Sequence, residues 1–136
     1  MCVFTHFAAG ALAGAYAPHA ALAPFLGLGS HVLLDVLPHY DFENMMLEIL
    51  LGVISLVVLL AGGVYGFAVL AGGLMGVLPD LENLLWKKGL IGEDKKVFPG
   101  HTGRFPRHGP RAGRLNLAGQ FLFSVAVLAF LIWRSA

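Results

Sequence analysis

From Met1 to Trp86 the chain carries no lysine and no arginine. Four apolar runs, residues 4–17, 20–37, 45–61 and 64–78, follow one another with little between them but proline, glycine, histidine and a few acids. A fifth run, 115–133, lies near the C-terminus. The third reads MMLEILLGVISLVVLLA and the fifth LNLAGQFLFSVAVLAFLIW. A soluble domain needs polar residues to cover its surface. Here 57% of residues are hydrophobic and 12% charged, against about 25% charged in ordinary globular chains. A bilayer-spanning helix takes about 20 apolar residues, fewer within a bundle. The expected fold is therefore all-α: one polytopic membrane domain over residues 1–136 with about five transmembrane helices.

Punctuation along the chain fits that division. Pro18 and His19 make a turn, Pro38 ends the second run, Gly62 and Gly63 break the third from the fourth, and Pro79 stops the fourth. No basic residue precedes the first run, so it reads as a retained membrane helix rather than a cleaved signal. The single cysteine, Cys2, excludes an internal disulfide.

Charge is strongly partitioned. Residues 1–82 carry a net −6 and residues 83–136 a net +7. Eight of the nine cationic residues fall in the polar stretch 80–114. Cationic loops are retained on the cytoplasmic side of the inner membrane. That rule puts the 80–114 loop and the N-terminus in the cytoplasm. His6, His31, Asp35, His39, Asp41, Asp80, Glu82, His101 and His108 then share the cytoplasmic end, and His19 goes to the other. Gly10, Ala11, Gly14 and Ala15 in the first helix, and Gly66, Gly72, Gly73 and Gly76 in the fourth, present small faces that let backbones approach in lipid. The first, second and fourth helices are expected to form a tight core, with the Leu-, Val- and Phe-rich third and fifth facing lipid.

The segment SHVLLDVLPHYD spaces His31, Asp35 and His39 four apart, on one helical face. Ionisable groups inside membrane segments are costly and mark function. Imidazole and carboxylate together suit a divalent metal, zinc first, with manganese or iron as alternatives. His6, His31, Asp35 and Asp80 are the expected metal ligands. His39, Asp41 and Glu82, about one turn further out, would handle protons, orient the ligands or hold a second metal. Structural roles stand beside these. His31 and Asp35 can lock helix packing as a pair. His6 can be an interfacial residue, Asp41 with Glu43 can cap the third helix, and Asp80 can be a solvated helix end. Glu48 is expected at the interface and His19 in a turn. In the loop GHTGRFPRHGPRAGR, His101, Arg104 and Arg107 would hold a substrate phosphate, while Arg111 and Arg114 suit anionic headgroups. There is no Walker loop, nucleophile-elbow serine or zinc-finger cysteine pair. Membrane lipids, not nucleic acid, are the expected partners.

Thr5-His6 in FTHFAAGALAG, the Ser30-His31-x3-Asp35 helix and Asp80 with Glu82 in LPDLE together resemble the membrane-bound metal-dependent hydrolases. These are small inner-membrane proteins sharing features with zinc-dependent phospholipase C. The likeness covers about the first two-thirds of the chain. In the family's usual order the LPD motif precedes the Ser-His-x3-Asp helix, whereas here it follows. GHTGRFPRHG stands where the family has a paired HRG-x-THS block. The resemblance implies metal-dependent hydrolysis at the cytoplasmic face, with a phosphoester of a lipid or lipid-linked molecule as the expected substrate. A non-catalytic metal-binding or scaffold protein is the alternative. A transporter subunit ranks below both, because the opposite half of each helix is nearly bare of polar groups apart from Tyr16, Ser55 and Ser124.

Overall fold

The computed structural model describes residues 1–102 and 109–136. Five helices carry the fold: α1 (Val3–Ala15), α2 (Ala23–Val36), α3 (Met45–Ala61), α4 (Phe67–Lys87) and α5 (Arg114–Ser135). Short 3-10 turns lie at Ala20–Leu22, Glu93–Lys95 and Pro99–Thr102. Among the described residues there is no strand, only a single bridge between His39 and Arg111. The chain is thus all-α. Two helices, α4 with 21 residues and α5 with 22, are long and apolar enough to cross a membrane by length and composition. At 1.5 Å per residue each is about 30 Å long. The other three are apolar but shorter.

Local chemistry sets the boundaries. Asn44 caps α3, its Oδ1 accepting the N–H groups of Met46 and Leu47 at 3.0 and 3.3 Å. The capping role that Asp41 and Glu43 could have filled thus falls to Asn44. A cap must directly precede the first helical residue, and Asn44 does so while Asp41 lies three residues earlier. Gly63, at φ +83°, turns the chain after α3.

Pro79 does not stop α4, which runs on for eight residues to Lys87. Proline removes the N–H that Met75's carbonyl would accept and loosens the next bond, from Asp80 to Gly76. His31 Nδ1 meets that second carbonyl, Gly76 O, at 2.8 Å. A neighbouring helix thus supplies a donor where the proline disturbs the ladder, as in other apolar bundles. The polar loop consequently begins near Lys88, and Asp80 and Glu82 are helical.

The most extensive packing joins α1, α2 and α4. It depends on backbone touching backbone. A Cβ at Gly72 would overlap Gly10's carbonyl oxygen and lie 2.9 Å from Gly14's Cα. One at Gly76 would lie 2.6 Å from His6's carbonyl oxygen. α3 and α5 lie against α1 through larger side chains, around a cluster of Phe7, Leu59, Val64, Val127 and Leu131. Their outer faces leave Leu50, Val57, Leu122 and Trp133 exposed. Apolar exposure on that scale marks a surface that meets something other than water.

The helices alternate in direction. Cys2 before α1, Tyr40 after α2 and Gln120 early in α5 meet at one end, where Gln120 Oε1 accepts Cys2 N–H at 3.0 Å and its Nε2 donates to Tyr40 O at 2.8 Å. At the other end Arg134 Nη1 donates to Ala15 O at 3.3 Å. The starts of α1, α3 and α5 and the ends of α2 and α4 therefore share one end, which holds most of the ionisable groups.

Candidate metal centre

The side chains of the centre come from four elements. α1 supplies His6, α2 supplies His31 and Asp35, α4 supplies Asp80 and Glu82, and the turn Pro99–Thr102 supplies His101. His6 and His31 are fully buried, their rings stacked with centroids 3.9 Å apart. That close approach is possible because α1 and α2 both rest on the glycine face of α4.

Hydrogen bonds fix which ring nitrogens carry protons. Gly76 O can only accept, so His31 Nδ1 donates to it and Nε2 is the ring nitrogen left to face the cluster. His31 Nε2 then faces Asp35 Oδ2 at 3.1 Å. Two lone pairs at that distance repel unless a proton or a cation lies between them. His6 Nε2 is 3.0 Å from Asp35 Oδ1. If that nitrogen donates to the carboxylate, His6 Nδ1 becomes a free electron pair. It is buried and without a hydrogen-bond partner among the described residues, and so is Asp80 Oδ2. Buried polar atoms are normally paired, and orphans at this density point to an ion.

The separations suit one. Donor atoms of His6, His31 and Asp80 lie within 4.8 Å of one another, and the same holds for His31, Asp35 and His101. In a tetrahedral zinc site with bonds of about 2.0–2.1 Å, ligand atoms stand about 3.3 Å apart. The two groups share His31, and Asp35 Oδ1 also lies 3.0 Å from His6 Nε2. The structure therefore brings His6, His31, Asp35 and Asp80 to one place. Asp80 is not at a helix end, because α4 runs on to Lys87, and its Oδ2 is buried.

Residues read as proton handlers sit around this group. Glu82 accepts the backbone N–H groups of Val97 and Phe98, the latter at 3.1 Å. It ties down the chain that leads into His101. His101 Nδ1 lies 3.6 Å from Glu82 Oε2, and its Nε2 lies 3.6 Å from Asp35 Oδ2. His101 thus lies against the acids of the cluster. Arg104 and Arg107, read with it as phosphate ligands, and His108 lie outside the described residues. His39 is buried, with Nδ1 donating to Leu37 O at 2.7 Å and Nε2 3.2 Å from Asp41 Oδ2. The latter distance suits a shared proton. His39 and Asp41 line a cavity of about 270 Å³ together with Lys87 and Arg111. Those two cations were not singled out from sequence for this position, because nothing local links them to His39. The Met1 amine nitrogen lies 2.9 Å from Asp35 Oδ1 and 3.1 Å from Asp41 Oδ1, joining the two groups.

Glu48, expected at an interface, is instead buried. Its Oε1 accepts Phe42 N–H at 2.6 Å and so fixes the approach to α3. Cys2 Sγ lies 3.1 Å from Tyr40 O. Burial, with Glu48 and Asp41 nearby, pushes its thiol up to about 12. His19, read as a turn residue, caps the 3-10 turn, its Nδ1 accepting Ala21 N–H at 3.3 Å.

No protein-family model, curated protein or solved structure matches this chain.

Proposed function

We propose that this chain is a metal-dependent hydrolase of the inner membrane, acting on a phosphoester of a lipid or lipid-linked substrate at the cytoplasmic face. The observation that carries the reading is the group of buried His6, His31 and Asp35 with half-buried Asp80, and the orphaned atoms on His6 and Asp80. Ionisable groups buried at one end of an apolar bundle are costly to keep and are explained by a cation they share. In this reading all five helices cross the bilayer, with α1 enclosed by the other four. The cationic loop after α4 favours the cytoplasmic side for the site. The chain would be a divergent member of the membrane-bound metal-dependent hydrolases.

His6, His31, Asp35 and Asp80 would hold the metal, zinc before manganese or iron given two imidazoles. When bound, a divalent cation supplies Lewis acidity and an activated water at neutral pH. The chain's own groups do the rest. Gly76 O and Asp35 hold the two imidazoles in one orientation. Glu82 holds the backbone of residues 97 and 98, and with it His101, over the site. His39 and Asp41 keep a proton between Nε2 and Oδ2 for a leaving oxygen. Lys87 and Arg111, with Arg104 and Arg107, would attract an anionic head group.

The test is turnover of a broad panel of phosphoesters by detergent-purified chain, with and without added zinc. Zinc-dependent release of phosphate or alcohol, abolished by His39→Ala, is expected. Stoichiometric metal with no turnover of any phosphoester would sink the catalytic reading.

One observation favours a second reading, a non-catalytic scaffold. Asp35 Oδ1 already receives the Met1 amine and His6, so the carboxylate has partners without a metal. The group would then simply lock helix packing. Loss of fold in Asp35→Asn, with no metal in the wild type, would favour that reading.

A further inference from the structure

α3 and α4 both pack on α1 but barely on each other. The gap between them is a groove of about 350 Å³. Val3 and Phe7 of α1 form its floor, Ile49 and Val53 one wall, and Leu74 and Leu78 the other. Gly52 and Gly73 let the walls close on that floor, since a Cβ at either would come within 2.8 Å of Val3 or Phe7. Val53, Leu74 and Leu78 are about half exposed, so the groove opens sideways from the bundle.

The lining is apolar except for Asp80. That residue is also a member of the metal group, and its Oδ2 is buried without a hydrogen-bond partner among the described residues. Groove and centre therefore share one side chain. A ligand that fills the groove would have a hydrocarbon body and bring its polar end to Asp80. A groove of this size takes an extended methylene chain along its length, whereas a helix about 10 Å wide would rest on its open rim rather than inside it. Its volume is within the usual range of about 300–1,000 Å³ for small-ligand sites.

We propose that the groove between α3 and α4 holds one acyl chain of a phosphate-bearing lipid and brings its head group to the Asp80 end of the metal centre. The inference rests on the reading of the chain as a membrane protein with that centre, and it names the substrate class. In lipid the selection comes from shape and from the head group, since hydrocarbon contact alone is available everywhere in the bilayer.

The test uses the full chain reconstituted in vesicles that contain a phosphatidylglycerol with a photoreactive diazirine midway along one acyl chain. Labelled positions are mapped by mass spectrometry, and metal content is measured on the same samples. Labelling is expected to concentrate on residues 49–56 and 74–81 over the exposed face of α5. Val53→Trp, which plugs the groove from its rim, lowers that labelling about tenfold, and Leu78→Trp does the same. Val57→Trp, exposed on α3 outside the groove, leaves it unchanged. Both plugged variants keep the wild-type metal content. Even labelling of all outward faces, or groove labelling indifferent to both plugs, overturns the inference. So does disulfide capture of a second copy through Val53→Cys, which would make the groove a chain–chain interface. Turnover of a short-chain, water-soluble phosphoester by the same preparation separates the two ideas. Its presence without groove labelling removes the groove alone, and groove labelling without turnover removes the hydrolase alone.

Discussion

The two halves of this bundle are held together by different physics. α1, α2 and α4 meet glycine to backbone, and the ionisable groups are packed where they meet. α3 and α5 meet α1 through bulky aliphatic side chains, with polar ties from Gln120, Ser124, Arg134 and the chain around Tyr40. Close backbones leave no room for side chains to adjust, so the first half can hold imidazoles 3.9 Å apart in fixed orientation. The second half tolerates variation in shape and offers a broad apolar exterior. Precision and burial go together in one half, and surface and adaptability in the other.

The difference is sharpest in the cost of one methyl or larger group. Gly72→Leu should have the largest effect, because its first carbon already overlaps Gly10's carbonyl oxygen. A loss of about 3 kcal/mol or more is expected, read as loss of folded monomer in detergent. Gly72→Leu protein that melts like wild type would break the comparison at its root.

Gln120→Ala attacks the tie between the halves. It strips a partner from Cys2 N–H, Thr5 Oγ1 and Tyr40 O. Leaving a buried donor unpaired costs about 1–3 kcal/mol, so thermal unfolding should fall clearly but less than for Gly72→Leu.

Gly119→Ala is the mild counterpart on α5, where an added Cβ meets nothing within 4 Å. Helix propensity then acts alone, and a gain of about 0.5–1 kcal/mol is expected in the same melt. Smallest in stability terms is the behaviour of Cys2. With its thiol pushed up to about 12, folded protein at pH 8 should resist iodoacetamide and label promptly once unfolded. Because the folded thiol is held neutral, stability should also fall as pH rises above the unfolded thiol's value of about 8.5. Fast labelling of the native chain would show that the α1 end is looser than its packing implies.

The limits of α3 were legible because one uninterrupted apolar run ends at a Gly-Gly pair. The meeting of residues 6, 31, 35 and 80 was legible because alternating helices joined by short turns bring the start of α1 and the ends of α2 and α4 to the same level. The course of α4 was not. Pro79 reads as a stop, and only the imidazole from α2 at Gly76 O reveals why the helix continues. The capping role open to Asp41 falls to Asn44, because Asp41 faces His39 and the distant Met1 amine instead. Glu48 and the pair Lys87 and Arg111 were unreadable for the same reason, since a side chain's burial is decided by elements distant in sequence.

The central claim is that His6, His31, Asp35 and Asp80 share a divalent cation, and elemental analysis of the purified full chain tests it most directly. About one zinc per chain is expected in the wild type, lost in His31→Ala and in Asp80→Asn while helical circular dichroism is retained. A folded wild type that carries no metal after purification in zinc-supplemented buffer, with Asp80→Asn equally folded, would contradict it.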